Sequence, residues 1–156
     1  MMAASIVAHF WSSRHDRKPM LLVIDEAHNV CPQTPADCFQ ATASEGLAAI
    51  AGEGRKFGLY LLLVIRGPQK LHLNVLSQCE NLFLMRMTTA SDIDHLATTF
   101  SHVPSALMRE AASFRQGQGL AAGRIAGNPM LFQKESRYSV EGGGDIPPTW
   151  ARQRPR

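Results

Sequence analysis

Two apolar runs, Leu21-Leu22-Val23-Ile24 and Leu59 to Ile65, constrain the fold more than anything else in the chain, and each is followed at once by charge. Runs of this length suit strands buried on both faces, as in parallel sheets flanked by helices. The first run delivers Asp25 and Glu26, and the second Arg66, to the C-terminal edge of such a sheet, where α/β folds bind ligands. Leu59 to Ile65, seven consecutive apolar residues, is expected to be central and parallel.

The rest of the pattern fills in helices and further strands. Residues 2 to 15 place apolar side chains every three or four positions, a helix that Pro19 terminates before a strand at Met20 to Ile24. Pro32 and Pro35 break the chain, and Thr34 or Asp37 can cap a helix running to about Ile50, with Gly58 closing the segment. Arg66-Gly67-Pro68 turns the chain after the second strand, residues 72 to 79 form a short helix, and Leu82 to Met87 a third strand. Thr89 or Ser91 caps a helix carrying Ile93, Leu96, Ala97 and Phe100, and Pro104 opens another. Leu120 to Ile125 and Met130 to Phe132 read as an antiparallel pair joined at Gly127-Asn128-Pro129. The expected class is α/β, a largely parallel sheet flanked by helices with a C-terminal β-hairpin. Residues 1 to 140 form one domain without internal repeats, and residues 141 to 156 an extended tail that docks through Trp150.

Composition narrows the function classes. A chain of 156 residues with 45% hydrophobic and 19% charged residues is ordinary globular usage. Its formal charge of +3 is too modest to announce nucleic-acid binding. Basic residues gather at Arg109, Arg115, Arg124, Lys134 and Arg137, and again at Arg152, Arg154 and Arg156; a solvated surface and a phosphate-tracking face both fit. No run approaches the roughly 18 residues that span a bilayer, and the first 18 residues lack a signal peptide's apolar core, so a cytoplasmic protein is expected. Cys31, Cys38 and Cys79 read as reduced thiols. His28, Cys31 and Cys38 lack the second ligand pair of a zinc site.

The segment LLVIDEAHNV, residues 21 to 30, has the form of a Walker B element. In nucleoside triphosphatases the first carboxylate helps hold Mg²⁺, usually through water, and the second orients the water that attacks the γ-phosphate. Asp25 and Glu26 take those roles here. The same residues also fit a buried strand ending in two solvated acids before a helix that Asp25 or Asn29 caps. A nucleotide site further needs a G-x-x-x-x-G-K-[ST] phosphate loop, and none occurs between residues 1 and 156. Gly52-Glu53-Gly54-Arg55-Lys56-Phe57-Gly58 has the wrong spacing and precedes its strand. The chain reads as the second half of a nucleotide-binding domain, with the first half upstream, in another chain or nowhere.

Together, LLVIDEAHNV, AGEGRKFGLYLLLVIRGPQK and NVLSQCENLFLMRM resemble, in order and spacing, the HerA/FtsK-like branch of RecA-type ATPases, the hexameric DNA-translocating motors. The resemblance covers nearly the whole chain. It implies a RecA-like P-loop core, ATP and Mg²⁺ as ligands, a homo-oligomeric ring, and a sequence-independent grip on DNA phosphates. It assigns Asp25, Glu26, Arg55 and Arg66 to catalysis, Asp25, Glu26, Lys56 and Gln78 to the nucleotide, and Mg²⁺ through water to Asp25. Arg55 and Lys56, of the Glu53-Gly54-Arg55-Lys56 segment, are expected near the mouth of the sheet, neutralising phosphoryl charge in the same subunit or across a ring interface. A surface pair at a helix C-terminus, favoured by the helix dipole, is the other reading. Ser77 and Gln78 resemble a motif that lines the nucleotide interface or the central pore; hydrogen bonding at a helix end fits them equally. Polarity, DNA type, subunit number and any nuclease partner have no signature in these residues.

One departure bears on activity. Where the family has a hydroxyl and then a polar sensor before Arg-Pro, this chain has Ile65, Arg66 and Gly67, and Ile65 cannot hydrogen-bond a phosphate or a water. Two functional readings stand: an ATPase motor segment, inactive without its phosphate-loop half, and a degenerate, non-catalytic interaction module. A DEAH-box helicase is disfavoured, because neither a Ser-Ala-Thr motif nor Q-x-x-G-R-x-x-R is present.

Overall fold

A computed structural model describes residues 1–135; the expected tail at 141 to 156 and the docking of Trp150 lie outside the described residues. Helix α1 spans Met2–Ser12, extended by a 3-10 turn at Ser13–Asp16, and leads into strand β1, Met20–Ile24. Helix α2, Cys38–Glu53, is the crossover to strand β2, Leu59–Leu63. Asp37 rather than Thr34 caps α2, its carboxylate accepting the Gln40 N–H at 2.8 Å. Then come the short helix α3, Leu73–Leu76, strand β3, Asn81–Leu84, and helices α4, Ala90–Thr99, and α5, Ser105–Arg109. Strands β4, Gln118–Gly123, and β5, Met130–Gln133, close the described chain.

β1 and β2 pair in parallel, Met20 opposite Leu59 through Ile24 opposite Leu63. The expected hairpin is present, β4 antiparallel to β5 with Leu120 opposite Leu131, and β3 joins it as a third, antiparallel strand. The described strands therefore form a two-stranded parallel sheet and a three-stranded antiparallel one. The α/β class read from the sequence holds, with strand ends shifted: β2 stops at Leu63 rather than Ile65, and β3 at Leu84 rather than Met87.

The core is one cluster in which Val7 and Phe10 of α1 and Leu47 and Ile50 of α2 meet Leu59, Leu71 and the buried side of the hairpin. Met20, Leu22, Ile24, Leu61 and Leu63 point into it. The other face of the same strands is open: Leu21 is 59% exposed, Val23 55% and Tyr60 50%. Burial on the second face, expected for the complete domain, is not provided by the described residues. Among the described residues helices cover one side only, and β2 has a single neighbour, β1.

Candidate functional site

The end of β1 is shaped by where its next backbone donor goes. Past β2, Val64 donates its N–H to Ile24 and accepts the Ala27 N–H at 3.0 Å. To return to that carbonyl the chain must reverse within Asp25-Glu26, and Glu26 takes a left-handed conformation, φ 48° and ψ 49°. A non-glycine residue is held there only when its surroundings over-determine it, a habit of functional sites. The turn is locked by the Glu26 N–H donated to Asp25 Oδ1 at 2.9 Å and by a 3-10 turn at Ala27–Asn29.

The loop after β2 is fastened beside it. Gln33 donates its N–H to the Lys70 carbonyl at 2.8 Å, His72 donates to Cys31 at 2.9 Å, and Pro32 and Leu71 form an isolated bridge. This brings Arg66 to the acidic pair, with Arg66 Nε 2.8 Å from Glu26 Oε1. Because the Arg66 side chain is 88% exposed, such a pair contributes only about 0.2–1 kcal/mol. On the other carboxylate oxygen, His28 Nδ1 lies 3.5 Å from Glu26 Oε2. Asp25, Glu26 and Arg66 thus share one edge, and His28 belongs with them. Its only signal in the sequence is a His two residues past Glu26.

The other assigned residues lie elsewhere. Helix α2 runs back from that edge, so Arg55 and Lys56, exposed on the 3-10 turn Gly54–Phe57 just before β2, sit at the opposite, N-terminal edge of the parallel pair. A five-residue strand at about 3.3 Å per residue puts them roughly 16 Å from the acids. The expectation that they lie near the mouth of the sheet is corrected: the length of the crossover helix returns the chain to the strand's start, which rules out a contact within the same subunit. Gly54 of the same segment has a packing role, since a Cβ there would come 2.8 Å from the Leu59 carbonyl oxygen. Gln78 joins this second edge, its side-chain amide lying against Gly52 at the end of α2.

Which of these groups suit a magnesium nucleotide can be judged from their donors. Glu26 is occupied by Arg66, whereas Asp25 is exposed and gives only one oxygen to a backbone N–H. No cluster of three or more ligating side chains exists among the described residues. Mg²⁺ is commonly bound by one or two carboxylates with water and substrate phosphates, and Asp25 fits that role. Arg109 pairs with Asp94 at 3.5 Å and Arg124 with Glu80 at 3.3 Å, so part of the basic scatter is a solvated, paired surface. No described helix is long and apolar enough to cross a membrane. Burial pushes the Cys31 thiol up to about 12, with Cys79 nearby adding to the effect, and burial also raises Cys79.

The α/β fold that carries this acidic edge is shared with solved P-loop nucleoside triphosphatase domains. The genome packaging NTPase B204 of Sulfolobus turreted icosahedral virus 2, solved with AMPPCP, superimposes with a TM-score of 0.63 at 15% identity over 85% of this chain and 62% of B204. VirB4 of Thermoanaerobacter pseudethanolicus gives 0.64 at 16% identity, over 87% of this chain and 37% of VirB4. In sequence, the chain is 33% identical over 129 residues to the probable DNA double-strand break repair helicase HerA of Methanocaldococcus jannaschii, covering 83% of this chain and 25% of the relative. HerA of Pyrococcus furiosus is 30% identical over 74% of this chain and 20% of its own length. No family model matches. The resemblance to the HerA/FtsK-like branch of P-loop ATPases is borne out, and the chain is a segment of that type, spanning about a quarter of the length of the curated relatives it matches.

Proposed function

We propose that this chain is the second half of a RecA-type motor core that hydrolyses ATP, with Mg²⁺, once a phosphate-loop half is joined to it, and that the complete unit moves along DNA in a homo-oligomeric ring. The carrying observation is the division of the assigned residues between two edges: Asp25, Glu26 and Arg66 on one, Arg55, Lys56 and Gln78 on the other. Arg55 and Lys56 are exposed and form no ion pair among the described residues. A head-to-tail neighbour presents its basic edge to the acidic edge of the next copy, and such heterologous contacts form a ring when the rotation closes. In this arrangement Arg55 acts in trans, where a guanidinium supplies charge at a transferring phosphoryl group. Asp25 holds Mg²⁺ through water, and Glu26 orients the attacking water. Relatives named as DNA repair helicases and a neighbour named as a DNA-packaging ATPase support DNA as the track.

The open face of β1 and β2 supports the same reading, because a parallel sheet is normally covered on both sides and the missing half supplies a natural cover. A non-catalytic module is the second reading, favoured by Ile65 at the sensor position and by Arg66 tying up Glu26. Mg·ATP binding and turnover, measured for the chain alone and joined to a phosphate-loop half, separate the two. Turnover confined to the joined form and lost in Glu26→Gln supports the motor; binding and turnover absent from both forms support the module.

A further inference from the structure

Around Glu26 one polar atom has no task in the proposed reaction. His28 Nδ1 is shut off from solvent and makes no hydrogen bond, although it lies 3.5 Å from Glu26 Oε2. At 3.5 Å the pair lies beyond the range of a good N–H···O bond. A buried nitrogen left in this state is unfavourable, so a small movement of the carboxylate that closes the gap is favoured. The histidine's backbone does not need to move. It is fixed by the Ala27 N–H on Val64, by the Asn29 N–H on Glu26 at 2.9 Å and by the Val30 N–H on Ala27 at 3.0 Å.

The Glu26 carboxylate is therefore flanked by unlike donors. Arg66 holds Oε1 from the solvent side, through an exposed and screened guanidinium; His28 faces Oε2 from the buried side with its bond unmade. We propose that His28 is a positioning residue for Glu26, the second holder that takes the carboxylate through Nδ1 when Arg66 releases it. It acts on the reaction only through Glu26, and the proposal rests on the reading of Glu26 as the water-orienting carboxylate. Two other histidines serve as internal controls: His72 Nδ1 and His95 Nε2 are also buried without a partner, but no described carboxylate lies within ion-pair distance of either.

The test is nitrogen NMR of the histidine-labelled full chain, alone and joined to the phosphate-loop half, at one fixed pH. In Arg66→Ala the His28 Nδ1 resonance is expected to move to that of a hydrogen-bonded N–H, and adding Glu26→Ala should abolish the change, with His72 and His95 unmoved throughout. A His28 resonance that ignores Arg66→Ala, or that shifts just as much without the Glu26 carboxylate, overturns the proposal. In the joined form, with folding checked by circular dichroism, His28→Ala should lower kcat about 10- to 100-fold at an unchanged KM for ATP. His28→Gln, whose amide still donates, should restore most of it; equal losses in both, or a change in KM alone, also overturn the role. The NMR result needs no turnover, so a joined form that never hydrolyses ATP defeats the functional reading while the His28–Glu26 contact is still decided.

Discussion

Glu26 shows how a single residue is placed by its neighbours' needs rather than by its own preference. Its left-handed backbone comes from the Ala27 N–H reaching the Val64 carbonyl, and its carboxylate is set by Arg66. Glu26→Gln keeps the shape and removes the charge, so in the joined form turnover should fall about 10²- to 10⁴-fold while the affinity for Mg·ATP, read by fluorescence titration, stays the same. Gly123 depends on backbone freedom: its φ is 99° and a Cβ would collide with the Glu80 carbonyl. Gly123→Ala should therefore destabilise the chain by about 1–3 kcal/mol in urea denaturation. Cys31, held up at about 12, stays a thiol in the folded chain while the unfolded chain ionises near its ordinary value of 9.0. Between these values the unfolded state binds fewer protons, so stability falls as pH rises from 9 to about 12. Cys31→Ala should flatten that part of the urea midpoint against pH, and an unchanged slope would exclude Cys31 as its source.

Among the elements, α2 matters most, because it sets the distance between the two edges. Its start is fixed by the Asp37 cap, its packing by Leu47 and Ile50, and its end by Gly54 against Leu59. Asp37→Ala should cost about 1 kcal/mol, and Leu47→Ala about 2–5 kcal/mol, both measurable as lowered urea midpoints. The sequence located this helix well, since proline breaks and a capping acid are local signals. It was less able to say where Arg55 and Lys56 end up: a basic pair after a helix looks the same at either edge of a sheet. Only the parallel pairing of β1 with β2 makes α2 a full crossover and sends the pair to the far side.

For the molecule as a unit the open face of the parallel pair is decisive. Leu21 lies opposite Tyr60 and Val23 opposite Leu62, all exposed, and each large apolar side chain gains about 1.5–3 kcal/mol on full burial. The chain alone should self-associate, with sedimentation showing mass that rises with concentration. Val23→Lys together with Leu62→Glu should restore a monomer, and a wild-type chain that remains monomeric at high concentration would count against a missing cover. The α/β class, most elements, the acidic pair and the resemblance to HerA/FtsK-like ATPases were legible in the residues alone, because apolar runs, caps and motif residues are contiguous in the chain. Folding in three dimensions was needed for whatever joins residues distant in sequence: the left-handed turn at Glu26, the Arg66 and His28 contacts on its carboxylate, and the separation of acids from Arg55 and Lys56. These depend on which strand edge each loop returns to, and that is fixed by pairing between segments some forty residues apart.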